Sequence, residues 1–534
     1  MKPKSIEQIN SGIAPYTGVW TSAEAMHLVR RTMFGTKKSD VTYFQSRTMT
    51  QAVDELLTIP TAQPNPPINN YNTTNNIDPN VAAGATWANT ADLPAFASHR
   101  RNSLRAWWTG LQINQDKNIL EKMTLFWHNH FSIQYEVVKT PSHCYNYNAL
   151  LRANALGNMK TMARAVAVSP AMLYYLNGRY NTKNAPDENF ARELQELFTV
   201  GKDLVAHFTE ADVQMAAKVL TGWRATDAAA TSNFDSTKHD STNKTFSSFY
   251  NNTVITGVSG ATGGGTELDA LLTMIFAQNE VANYIVRKLY RFFVYYTITP
   301  DIEQNVIEPL AVIFRQNSYD ITPVLATLFK SQHFYDTMQV ACVIKPPIDF
   351  TVGYLRKFNV VFPASSDYVT QYYFWQQAWN AAAAQQEAAG DPLNVAGWPP
   401  YYQLPSYHEL WITPDSLRQR KTIADGLLYN GIVKNSFTLA VNTMDFVLNN
   451  VSIPSDPNIL VDEVLALFLP FSLTTSTRAS LKNILLSFQA QDHYWTDAWI
   501  NYINLPSAAN TSIVKQRLVY FFSTIINLAE YQLS

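Results

Sequence analysis

Two histidines one residue apart, His128 and His130, stand inside the apolar run LFWHNHF at 125–131. Imidazole nitrogens serve as metal ligands, general bases or hydrogen-bonding groups, and the role open to a pair depends on where both rings point. On an α-helix, residues i and i+2 face about 200° apart; on an extended segment they share a face. The stretch before the pair, NILEKMTLFW, is helical in pattern, and FSIQYEVV after it alternates with β-branched residues. That places the pair at a helix end, where the rings can converge. Two uses compete: ligands for a metal completed by carboxylates, or core histidines that each bond a backbone carbonyl beneath Trp127 and Phe131.

Three further stretches carry chemistry. In DENFARELQELFTVG, 187–201, Glu188, Arg192 and Glu196 follow i,i+4 spacing, a ladder of ion pairs along one helix face. Glu193 is offset, beside the apolar stripe of Phe190, Leu194 and Leu197. This helix is either a solvated face with ordinary ion pairs or a donor of carboxylates to a metal or to acid/base chemistry. KHDSTNK, 238–244, sets His239 next to Asp240 between two lysines in a long polar loop, where a lone His-Asp dipeptide is weak support for function. NVAGWPPYY, with Trp411 nearby, is a rigid aromatic surface that caps the core or stacks on sugars or peptides. Serine-nucleophile, phosphate-loop, dinucleotide and HExxH patterns are absent from the sequence.

The elements that must hold these residues read as mainly α. Thr21 and Glu24 have capping-box spacing before a helix that Gly35 closes. Helical patterns follow at 50–58, 99–131, 148–178 with a break at Gly157, 187–198, and after Thr209, capped by Asp212. Residues 61–81 are a Pro/Asn-rich loop predicted to be exposed or mobile, and 225–265 a second long loop with a small β-hairpin and a flexible tip, GVSGATGGG. Helices resume at 266–335, after Pro346–Pro347, in the Ala-rich 378–390, and through the last hundred residues. The organisation predicted is a tail at 1–20, a helical core at 21–340 and a helical C-terminal portion at 341–534.

Composition narrows the class. The chain has 534 residues, 46% hydrophobic, only 15% charged, with net charge -2. A polar, weakly charged surface points to the cell envelope or to secretion, and the lack of a basic block argues against nucleic acid. The N-terminal MKPKSIEQINSG has no signal-peptide core, so a cytoplasmic location also stays open, and no apolar run is long enough to span a membrane. Cys144 and Cys342 permit one disulfide but imply no framework.

Taken in order, AEAMHLVRRTMFG (23–35), LEKMTLFWHNHF (120–131), LLRANALGNMKTMARAVAVSPAMLYYLNG (150–178), DENFARELQELFTVG, FTEADVQMAAKVLTGW (208–223), the HD…K of 239–244, KPPIDFTVGYLR (345–356) and NVAGWP (394–399) resemble the motif blocks of the bacterial DUF1800 family. Asp187 stands where that family usually has Asn, and the last hundred residues match weakly. The resemblance implies no activity. It implies an envelope context and a sulfatase-like partner protein, and its signature polar residues are His128, His130, Glu188, Arg192, Glu193, Glu196, His239 and Asp240. Two functions follow. In the first, a hydrolase-like or metal-assisted envelope enzyme, a divalent transition metal sits on His128, His130, Glu193, Glu196 and His239. Arg192 then orients an anionic group, and Asp240 approaches from its loop. In the alternative, the protein is a non-catalytic assembly or binding protein whose motif residues form an internal network, with the aromatic segment facing a protein or glycan. A haem or redox role ranks last, because no CxxCH is present.

Overall fold

The computed structural model describes residues 11–202, 207–227 and 231–534. Residues 1–10 of the expected tail and 228–230 of the second loop lie outside them. The chain is mainly α, and its strands form three antiparallel two-stranded hairpins among the described residues. One of these, 244–245 with 254–255, lies in the 225–265 segment where a hairpin was expected, and another, 223–224 with 233–234, straddles its start.

The expected caps form. Thr21 and Glu24 close a capping box on the Ser22–Thr32 helix, as do Thr209 and Asp212 on Glu210–Val219. Gly157 falls between the Pro141–Ala153 and Met159–Ala167 helices. Three expectations need correction. The 61–81 loop is largely exposed, as expected, but it is pinned at one point, because Asp78 and Arg100, both buried, form an ion pair of 2.9 Å beneath it. The tip GVSGATGGG is also fixed. Its last three glycines begin the Gly263–Phe276 helix, and a Cβ on Gly264 would meet the Phe234 ring at 2.2 Å. The helix containing the start of the Ala-rich segment, Tyr368–Ala383, stops well before Gly390. Cys144 and Cys342 are both free thiols.

One close approach brings distant segments together. Gly35, at φ +75°, lies on Gly353 of the Pro347–Lys357 helix, where a Cβ would meet the Gly353 Cα at 2.5 Å. Only glycine satisfies both the left-handed backbone and that distance. The contact sets the end of the Ser22–Thr32 helix, with its buried Arg30 and Arg31, against Lys345 and Asp349. Gly35→Ala should therefore cost about 2–4 kcal/mol, read as a lowered midpoint of chemical denaturation; an unchanged midpoint would show that the crossing tolerates a side chain.

Candidate functional site

The Leu120–His130 helix runs through both histidines instead of ending before them. It is buried on all sides, so helix geometry decides, and the two rings diverge. His128 enters an aromatic box of Trp108, Tyr135, Tyr147 and Trp398, with ring centroids 5.3–6.4 Å away. Burial pushes its pKa down to about 3 against the opposing effect of a backbone hydrogen bond to Gly390. His130 lies on the other side, against Phe126, Trp127, Phe131 and Phe198. Its Nε2–H donates to the Phe198 carbonyl at 3.1 Å, and burial, then Lys288, holds it well below the usual histidine range. The expected convergence is corrected: both are neutral core imidazoles on opposite faces.

Arg192, on the Asn189–Glu196 helix, pairs with Glu188 at 3.0 Å, Glu196 at 3.7 Å and, across the gap to the next helix, with Glu210. Glu196 also meets Lys202 at 3.4 Å. Glu193 is half-buried; burial and then Glu196 raise its pKa. His239 and Asp240 belong to a different network. His239 sets Nε2 3.0 Å from Glu267 and Nδ1 2.9 Å from the Thr221 carbonyl. Lys244 reaches Glu267 at 2.6 Å and also the Asp240 carbonyl, and the Asp240 N–H donates to Thr221 Oγ1 at 2.8 Å. Burial works against ionisation of Glu267, but the hydrogen bonds from His239 and Lys244 outweigh it and lower its pKa. This network is closed: each Glu267 oxygen has a partner, the Val258 N–H included. His128, His130, Glu193, Glu196 and His239 therefore do not form one donor set, and no group of three or more His, Cys, Asp or Glu among the described residues could hold a metal ion.

What does converge was not singled out from the sequence. Arg30, Arg31, Lys345, Lys357 and Arg420 are buried or nearly so, and among the described residues none is in an ion pair with an Asp or Glu side chain, although Arg31 Nη1 donates to the Ser534 oxygen at 3.3 Å. Their hydrogen bonds go mainly to backbone carbonyls. Arg30 reaches Leu469 at 2.8 Å, Arg31 reaches Phe293 at 2.9 Å and Val294, Lys345 reaches Tyr531, Lys357 reaches Leu467 at 3.2 Å, and Arg420 reaches Lys345 at 2.8 Å. Burial brings Arg30 and Arg420 down to about 10, and burial together with mutual repulsion holds Lys345 and Lys357 well below the usual lysine range.

Two small cavities lie among these cations. One, of about 30 Å³, has Arg30, Arg31, Lys122, Arg291, His408, Asp349 and Ser534 in its lining; the other, of about 20 Å³, has Arg30, Lys345, Lys357, Asp349 and Ser534. Each exceeds the ~10–15 Å³ that one water requires. Asp349, the Asp/Glu side chain that lines both cavities, pairs with Lys122 and also acts through space on Arg31, Lys345 and Arg420. His408 accepts the Ile344 N–H on Nδ1 at 3.3 Å, and burial pushes its pKa to about 4, so the neutral ring carries its proton on Nε2. That Nε2 has no partner among the described residues. Arg291 likewise engages only Nε, to the Tyr296 carbonyl at 3.4 Å, while its Nη1 and Nη2 make no hydrogen bond there.

At the chamber wall, Glu387 accepts from the Ile348 N–H at 2.8 Å and the Tyr401 hydroxyl at 3.2 Å. Burial, with Asp349 adding to it, raises its pKa from 4.5 to about 8. The folded protein thus holds this proton where the unfolded chain has released it, so stability is lost as pH rises from 4.5 to 8. The loss is on the order of 5 kcal/mol across the window. Glu387→Gln should flatten the fall in denaturation midpoint between pH 5 and pH 8; identical slopes in variant and wild type would mean the carboxyl is ionised throughout.

No curated protein and no solved structure matches the chain. A family model described as "Protein of unknown function (DUF1800)" matches residues 27–533. The match takes in the histidine helix, the ion-pair helix and the cationic chamber alike, and the chain belongs to the DUF1800 family.

Proposed function

We propose that this protein is a binding protein for a small oxyanion held in the cationic chamber, and that its His/Glu/Arg motif residues are the framework around it. The observation that carries this reading is the set of five buried cationic groups without an Asp or Glu ion-pair partner among the described residues. Carbonyl oxygens satisfy hydrogen bonds, but a helix end supplies only about half an elementary charge. Cationic groups crowded in a low-dielectric interior either lose protons, the direction in which Lys345 and Lys357 are shifted, or gain an anion. Arg291 and His408 Nε2–H supply donors that an oxyanion can take without breaking an internal bond. The metal-assisted hydrolase loses its support with the dispersal of its five donors. The low charge content is what favours an envelope or secreted setting for this binding step.

Sulfate is the probe, because its charge is constant through the neutral range. It should raise Tm saturably over sodium chloride of equal ionic strength, by about 2.7 kcal/mol of stability at a hundred times Kd. Arg291→Ala should weaken sulfate about tenfold in calorimetry while the ligand-free Tm holds. Equal effects of sulfate and chloride would remove this reading.

A further inference from the structure

We propose that the groove beside the chamber binds an amphiphilic monoanion, a free carboxylate with an unbranched apolar tail, head on Arg30 and tail along Met26, Leu465 and Leu469. This rests on the anion reading of the chamber, because Arg30 is the wall that the groove shares with both small cavities. The groove, about 470 Å³, opens between the Ser22–Thr32 helix and the Pro457–Phe468 helix with the turn after it. That volume lies within the range of roughly 300–1,000 Å³ typical of small-molecule sites.

Its lining fixes the ligand's polarity. Met26, Leu465, Ala466, Leu469, Phe471 and Leu473 give an apolar surface, and Phe471 is 44% exposed. The charged groups that face it are Glu24, His27, Arg30, Asp462 and Arg478. Glu24 is occupied by the capping box, accepting from Thr21 N–H at 2.9 Å, and Asp462 pairs with Arg478. His27 is neutral, since burial takes it to about 3 and its Nε2–H donates to the Phe334 carbonyl at 3.0 Å. That leaves, among the described residues, Arg30 as the cation without a carboxylate partner, at the inner end, and Glu24, hydrogen-bonded but without a cation, near the exposed start of the same helix. Its Nη2 is held by Leu467, Leu469 and Met26, while Nε and Nη1 make no hydrogen bond among the described residues. One unpaired cation at the inner end, beside the apolar stretch of Met26, Leu465 and Leu469 and with Glu24 disfavouring a second negative charge, selects one anionic head and an apolar tail. A polyanion would leave charges against leucine, and an uncharged amphiphile would leave Arg30 unmatched.

The test is calorimetry on the full chain with sodium dodecanoate, dodecyl maltoside below its micelle concentration, and sulfate, for wild type and Ala466→Trp. Ala466 is exposed on the groove wall and outside the chamber, so the variant fills the groove and leaves the cations in place. Expected are dodecanoate binding at least tenfold tighter than the maltoside, its loss in Ala466→Trp, and sulfate binding retained in both proteins. Sulfate binding with no dodecanoate preference, or dodecanoate binding indifferent to Ala466→Trp, overturns the groove and leaves the chamber reading intact. Binding to anionic vesicles without binding of free dodecanoate also overturns it. Groove-dependent dodecanoate binding with no sulfate effect would instead remove the chamber reading alone.

Discussion

Buried cations on the ends of helices hold this fold together. The last carbonyls of a helix have no partner within it and carry its negative pole. Here those ends are buried, and arginine and lysine side chains from distant segments reach them. Arg30 and Lys357 both cap the Pro457–Phe468 helix, through Leu467, Phe468 and Leu469. Arg31 caps Asn279–Phe293 through Phe293 and Val294. Arg356 caps Pro94–Ile113 through Ile113 at 2.8 Å, with Asp40 at 2.8 Å as its counter-charge. Each such contact ties an N-terminal or central helix to one far along the chain, and the Gly35–Gly353 crossing is what lets the first pair reach their targets.

The same residue types serve two different ends, separated by their counter-charges. Arg100 with Asp78, Arg152 with Glu121 and Lys244 with Glu267 are buried pairs in which each cation has its carboxylate. Such pairs are costly to break and contribute little beyond specificity when intact. The cations around the chamber lack that closure. Burial, and then repulsion from the neighbouring cations, lowers the proton affinities of Lys345 and Lys357.

Local signals were legible and convergent ones were not. The capping boxes at Thr21 and Thr209 are determined within four residues, and the sequence reading recovers both. The histidine pair turned on where one helix ends, and the Leu120–His130 helix continued long enough to send the rings apart. The chamber draws on residues from position 30 to position 534, so no window contains it. One sign was present: Arg30 and Arg31 sit in an apolar stretch with no acid three or four residues away. The spacing rule would also have misled, because Asp349 stands four residues after Lys345, yet its ion pair is with Lys122.

The motif blocks thereby sort into two sets. HLVRR supplies Arg30 and Arg31, LEKM supplies Lys122, KPPID supplies Asp349 and Lys345, and the segment after NVAGWP supplies Pro400 and Tyr401, all of them at the chamber. The aromatic segment is held there by the histidine helix: Trp398 N–H donates to Asn129 Oδ1 at 2.8 Å, and a Cβ on Gly397 would meet that oxygen at 2.3 Å. His128 and Trp398 pack against each other in the same contact, which gives the HNH motif a positioning role at the chamber wall without any ligand of its own. DENFAREL, the most recognisable block, contributes no side chain to either small cavity. Its Arg192 instead gathers three carboxylates on a partly exposed face, and a charge ladder of that kind stabilises a helix whatever the chamber holds.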